Sequence, residues 1–184
     1  MSSICFLSQN SLKQQPNSNT TNTGIIFEME TIEENTRTTQ ENQENEQEII
    51  WERCCELFLQ AENGNNESFK ELEEICQNNQ NDAVCLGYFH RILKKCVEVR
   101  YQDKINQIKQ QISEIISNLQ SNSSSFDDFI QNLSNKHQQF VFGWFFGAAI
   151  GVEKNDEEYM RLMKLSADQG HVLAEYTMGY CYWT

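Results

Sequence analysis

The sequence predicts an all-α fold, an irregular α/α solenoid of helix pairs behind a disordered N-terminal tail. Three observations predict it. The segment His137 to Thr184 aligns with itself at an offset of 36 residues, so that Phe142-Gly143 falls on Met178-Gly179, Trp144 on Tyr180 and Phe146 on Tyr182. Between the two copies lie start and stop signals for one further helix. Upstream, from Gln47, apolar residues recur at three- and four-residue spacings. A helix written twice with another between the copies marks an α-helical repeat, whose units bury apolar faces only against neighbours. Such a chain offers a binding surface rather than a reaction centre.

The tail is residues 1–45. It mixes Ser, Thr, Asn, Gln and Glu, with Phe6 and Phe27 its only aromatics, and cannot bury enough apolar surface to offset a backbone entropy of about 1 to 2 kcal/mol per residue. Residues 46–135 form a degenerate helical region. From Gln47 to Ala61, Ile50, Cys54, Leu57, Phe58 and Ala61 make one stripe that Trp51 and Cys55 widen, and Asn63-Gly64-Asn65-Asn66 ends it. A second helix, near Glu67 to Gln77, presents Phe69, Leu72, Ile75 and Cys76. A third, near Asp82 to Tyr101, carries Leu86-Gly87-Tyr88-Phe89, a match to the Phe-Gly-Trp and Met-Gly-Tyr signatures. An insert follows in which Ile105, Ile108, Ile112, Ile115 and Leu119 make a short heptad seam. The seam reads as a coiled-coil dimer contact or as an elongated helix packed within its own solenoid. Ser121 to Ser125 is a polar loop, and Ser125 is placed to cap a short helix bearing Phe126, Phe129, Ile130 and Leu133.

Residues 136–184 hold the two copies. Asn155 followed by Glu158 reads as an N-cap with its reciprocal partner, and Asp156, Glu157 and Glu158 set negative charge at the positive end of the helix dipole. Gly170 supplies the left-handed residue that stops this helix. Gly143 and Gly179 lie mid-helix, where glycine costs about 0.5 to 1 kcal/mol against alanine, so a neighbouring helix is expected close to each.

With Phe142-Gly143, Gly151-Val152, Glu153-Lys154, Ser166-Ala167, Gln169-Gly170-His171, Ala174 and Met178-Gly179, this stretch resembles the Sel1-like repeat, a relative of the tetratricopeptide repeat. The resemblance covers about one and a half units. It implies antiparallel helix pairs stacked into a superhelix that serves as an adaptor in protein complexes, with Gly143, Gly151, Ala167, Gly170, Ala174 and Gly179 as its structural positions. Ala149 stands where the family usually has a loop glycine, and Tyr159 where it usually has alanine.

Other chemistries find little support. The net charge of −13 argues against nucleic acid or an anionic membrane, since both need clustered Lys and Arg, and Lys94-Lys95 is the only adjacent basic pair. Phe140 to Val152 is apolar, with Gly143, Gly147 and Gly151 at the four-residue spacing of membrane helix pairs. As a helix it spans roughly 20 Å against a hydrocarbon core of about 30 Å, so no membrane span is expected. The seven cysteines, Cys5, Cys54, Cys55, Cys76, Cys85, Cys96 and Cys181, form no C-x-x-C pair. The vicinal Cys54-Cys55 reads as buried apolar residues, since adjacent side chains diverge on a helix. Met1 to Asn10 lacks a basic n-region, which predicts no secretory signal and, with the thiols, a cytoplasmic location, the nucleus left open. His90, His137 and His171 have no carboxylate or thiol at metal-site spacing and read as surface or packing residues. No phosphate-cradling loop, kinase catalytic loop or G-x-S-x-G elbow occurs. No catalytic residue, metal site or cofactor is expected.

The expectation is therefore a non-catalytic adaptor that binds other proteins along the first helices of its repeats, through Trp144, Tyr180, Gln139 and Glu175. The last helix leaves Tyr176, Met178, Tyr180, Tyr182 and Trp183 half covered, each forgoing roughly 1.5 to 3 kcal/mol of burial. That uncapped helix makes a homo-oligomer the structural alternative. The resemblance implies two others: a fragment or detached regulatory arm of a larger, kinase-associated protein, or a hydrolase of the kind found among secreted family members, which the missing signal and unpaired cysteines oppose.

Overall fold

The computed structural model describes residues 23–95, 101–122 and 126–183. Among them are eight helices and no strand: α1 (Thr23–Glu62), α2 (Asn66–Asn78), α3 (Ala83–Lys95), α4 (Gln102–Asn122), α5 (Phe126–Gln131), α6 (Lys136–Ala148), α7 (Asp156–Asp168) and α8 (Val172–Trp183). The chain divides into two compact units, Met1–Asn42 and Gln43–Thr184. All the packing described below lies within the second. Cys5, Phe6, Cys96, the Ser125 cap and the side chains of Phe27 and Tyr182 fall outside the described residues.

Within the span expected as a tail, α1 begins at Thr23. Residues 28–48 are rich in Glu and Gln, and good helix formers sustain a helix without an apolar face. The buried stripe of α1 starts further on: Cys54, Leu57 and Phe58 are fully buried, and Asn63-Gly64 then turns the chain with Gly64 at φ +91°. Asn65 Oδ1 accepts from the amides of Glu67 and Ser68 at 3.0 and 3.2 Å and starts α2. Asp82 caps α3 in the same way, through Val84 and Cys85. Its other oxygen accepts from Trp51 Nε1 at 2.8 Å and from Gln47 Nε2, which ties the α3 cap to α1.

The third helix was expected to run to Tyr101; α3 is described to Lys95, residues 96–100 lie outside the described residues, and Tyr101 adjoins the start of α4. On α4 the most buried residues are Ile108, Ile112 and Ile116, with Ile105, Ile115 and Leu119 at the flanks. The stripe packs against α3 of its own chain, with Ile116, one residue on from the expected Ile115, among its fully buried members.

Asn135 caps α6 through the His137 amide at 2.8 Å. The helix ends at Ala149, whose φ of 52° is the strained left-handed conformation that glycine would adopt freely. Gly151, at φ +70°, follows. A side chain there would press within 3.1 Å of the Ser113 Cα, so the α6–α7 loop lies directly on α4. Asn155 caps α7 through the amides of Glu157 and Glu158, both at 3.1 Å. The reciprocal half of the expected capping box is absent, because the Asn155 amide donates to the Phe146 carbonyl at 3.2 Å, while the Glu158 carboxylate accepts from Arg161 Nε at 2.9 Å. Gly170, at φ +75°, closes α7 as expected.

Helices α6 and α7 meet closely at Gly143, where a Cβ would stand 3.1 Å from Met163 Cε and 3.3 Å from Leu162 Cβ. Helix α7 packs in turn on α8, and α3 packs on α2, α4 and α6. Ala174 is fully buried and Ala167 partly so, while Met178, expected to be half covered, is buried. Among the described residues no helix is long and apolar enough to cross a membrane.

Candidate interaction face on the last helix

A buried polar chain fixes how α8 is held. The Ala174 amide donates to the His171 carbonyl at 2.9 Å and shares its hydrogen with His171 Nδ1 at 3.3 Å, an arrangement that assigns the lone pair to Nδ1 and the hydrogen to Nε2. Nε2–H then donates to Tyr88 Oη at 2.6 Å, and the Tyr88 hydroxyl donates to His137 Nδ1 at 2.8 Å. The remaining His137 hydrogen, on Nε2, goes to Glu52 Oε2 at 2.8 Å, where Lys136 Nζ also arrives at 3.0 Å. Every donor meets an acceptor with both imidazoles neutral. Burial drives His171 down to about 3. It also lowers His137, although Glu52 opposes the shift. For Glu52, burial is the largest single influence and pushes upward, but the hydrogen bonds from Lys136 and His137 together hold it below the usual carboxylate range. Burial raises the Tyr88 phenol well above its ordinary value.

Stacking completes the joint. His171 lies over Phe140 with centroids 4.4 Å apart, and Phe140 over Tyr88 at 5.7 Å. Beside it the Arg91 guanidinium sits 4.8 Å from the Phe140 ring centroid and 4.9 Å from that of Trp144, and its Nη2 donates to Thr177 Oγ1 at 3.4 Å. Helix α8 is therefore held by α7, by Arg91 of α3 and by the α7–α8 corner.

The clasp turns one face of α8 outward. Val172, Glu175, Tyr176, Gly179, Tyr180 and Trp183 follow the helical period and are all exposed. Exposure reaches 54% for Val172, 69% for Tyr176, 65% for Tyr180 and 88% for Trp183, which sets these side chains outside the packed core. Tyr176, Gly179, Tyr180 and Trp183 line a shallow concavity of about 630 Å³. No atom lies within 4 Å of where a Gly179 Cβ would stand, so the neighbour expected there does not come from the described residues.

Two of the four expected contacts share this face, Tyr180 and Glu175. Gln139 does not: it is 3% exposed, donates to the Leu133 carbonyl and accepts from Gln169 Nε2, both at 2.7 Å. Trp144 is half-buried against Arg91 and does not reach the α8 face. The three histidines, expected as isolated surface or packing residues, are each 1% exposed. His137 has a carboxylate partner 85 residues away, in Glu52. No local spacing signals that pairing, nor the position of Arg91.

Cys54 and Cys55 point to different neighbours, as adjacent helical residues must: the Cys54 thiol lies 3.9 Å from Cys85 Sγ, while Cys55 lies toward Tyr88 and is pushed up to about 11, chiefly by burial. A second groove, of about 560 Å³, runs between α1 and α4 and is bordered by Gln47, Trp51, Asp82, Leu119 and Gln138.

The chain matches no protein-family model, no curated protein and no solved structure.

Proposed function

We propose that this chain is a non-catalytic protein-interaction scaffold, a Sel1-like helical solenoid acting in the cytoplasm, and that it engages another protein through the outward stripe of α8. The observation that carries the reading is the row of Val172, Tyr176, Tyr180 and Trp183, exposed on one face of a helix whose opposite face is clasped. Tyrosine and tryptophan dominate binding hot spots because they bury large areas at little entropic cost. Covering four such side chains is worth roughly 5 to 10 kcal/mol before association costs, on the scale of the about 8 kcal/mol of a micromolar complex. Support for the repeat comes from α6 and α8, which begin 36 residues apart, at Lys136 and Val172. Mid-helix glycines recur at Gly143 and Gly179.

The test is a Tyr176→Asp/Trp183→Asp double variant. Both side chains are exposed, so the thermal melt should not change. Proteins retained by the tagged wild-type chain should be lost from the variant. Identical retained proteins on both would remove the assignment.

A further inference from the structure

We infer that the α8 stripe is the seat for a single amphipathic helix of a partner protein. That helix lies on α8 as α7 lies on α6, with a small residue where α7 carries Tyr159 and a basic one where the α7 end carries Gln169. The inference rests on the reading of α8 as the interaction face and goes further by naming the occupant.

The molecule contains the template for that occupant. Stepping the α8 stripe back by 36 residues gives Lys136, Gln139, Phe140, Gly143, Trp144 and Gly147 on α6. In α6 this row is largely covered: α7 and its C-terminal corner cover most of it, while Tyr88 and Arg91 of α3 lie against Phe140 and Trp144. Met163 and Leu162 close on Gly143, the Tyr159 ring closes on Gly147, His171 stacks on Phe140, and Gln169 donates to Gln139. The corresponding row on α8 keeps the central glycine, with nothing within 4 Å of its would-be Cβ. A mid-helix glycine carries a helix-propensity cost that close approach of another helix explains, as it does at Gly143.

Two differences between the rows define the guest. Trp183 stands at the place of Gly147, where even a Cβ would come within 2.9 Å of the Tyr159 ring. An indole there excludes a guest tyrosine and leaves room for alanine or glycine. Glu175 stands at the place of Gln139, which accepts a hydrogen bond from the end of α7 at 2.7 Å. A carboxylate in that position selects a lysine or arginine, and the net charge of −13 adds long-range attraction for a basic segment.

The experiment uses the full chain and two labelled synthetic peptides read by fluorescence anisotropy. One is the native 153–171 segment. The other is the same segment with Tyr159→Ala and Gln169→Lys. The substituted peptide is expected to bind at least about tenfold more tightly than the native one. A Gly179→Leu chain, whose Cβ enters open space and whose melting temperature therefore does not fall, should weaken that binding by at least about tenfold.

Equal affinity for the two peptides, no binding of either up to about 1 mM, or binding indifferent to Gly179→Leu overturns the inference. So does a dimer in sedimentation equilibrium that Gly179→Leu abolishes, which gives the seat to a second copy. If the Tyr176→Asp/Trp183→Asp variant loses its partners while the peptides fail, the interaction face stands and only the helical guest falls. If that variant keeps its partners, the face itself falls.

Discussion

Acid should unfold this protein through its buried imidazoles before its carboxylates titrate. Burial holds His90 down to about 4 and His171 down to about 3, against an ordinary value of 6.5. In the unfolded chain both return to about 6.5. Because the folded values are the lower ones, the stability is complete above pH 6.5 and drains away as pH falls toward 4 and 3. Each histidine costs about 1.4 kcal/mol per pH unit across that window. From pH 6.5 to pH 5 the loss is about 2 kcal/mol per histidine, or about 4 kcal/mol for the two. His137 is shifted the same way and adds to the loss. Glu52 does not confuse the window: its folded value lies below the ordinary 4.5, so its contribution is lost only at lower pH. A loss of about 4 kcal/mol is a large part of a typical domain stability of about 5 to 15 kcal/mol. Urea unfolding followed by circular dichroism at pH 7 and at pH 5 measures it. A stability difference below about 1 kcal/mol would show that the imidazoles take up protons in the folded state, and the enclosed, neutral histidine chain would be wrong.

The remaining expectations concern single side chains. His90→Leu should raise stability at pH 7 by roughly 1 to 3 kcal/mol, because both ring nitrogens are buried with no hydrogen-bond partner; it should also remove one proton from the pH dependence, and an unchanged urea midpoint would contradict it. Tyr88→Phe should cost roughly 1 to 3 kcal/mol for each imidazole nitrogen that loses its hydroxyl partner; the midpoint of the thermal melt reports it. Gly87→Ala and Gly179→Ala should move stability in opposite directions. A Cβ at Gly87 collides with Val141 and comes within 3.2 Å of Phe145, costing roughly 1 to 3 kcal/mol, while at Gly179 it meets nothing and gains about 0.5 to 1 kcal/mol of helix propensity. Equal effects in parallel melts would refute the packing at Gly87 or the open space at Gly179.

What was legible in the sequence was local. Asn155 and Gly170 bound α7 as their residue types require, since a cap and a left-handed stop are decided within a few residues. The 36-residue offset located α6 and α8. Local rules failed where a competitor sat nearby, as when the Phe146 carbonyl took the Asn155 amide from the expected capping box. They failed at Gln139 because its partner, Gln169, arrives only when α7 folds back on α6. The Glu52–His137–Tyr88–His171 chain joins α1, α3, α6 and the α7–α8 corner, and no spacing rule spans such separations. Of the candidate face, Tyr176, Tyr180 and Trp183 were visible as aromatics on the last helix. The separation of exposed Tyr176 from buried Met178 needed the packing of α7.

The most direct measurement places a photo-activatable phenylalanine analogue at position 176 on the α8 face, and separately at position 138 beside the α1–α4 groove. Each full chain is irradiated in the cells that express it. An adduct between position 176 and a different protein, with none from position 138, is the expected result. Adducts from position 138 alone, or only chain-to-chain adducts at 176, would contradict the assignment of α8 as the face that receives another protein.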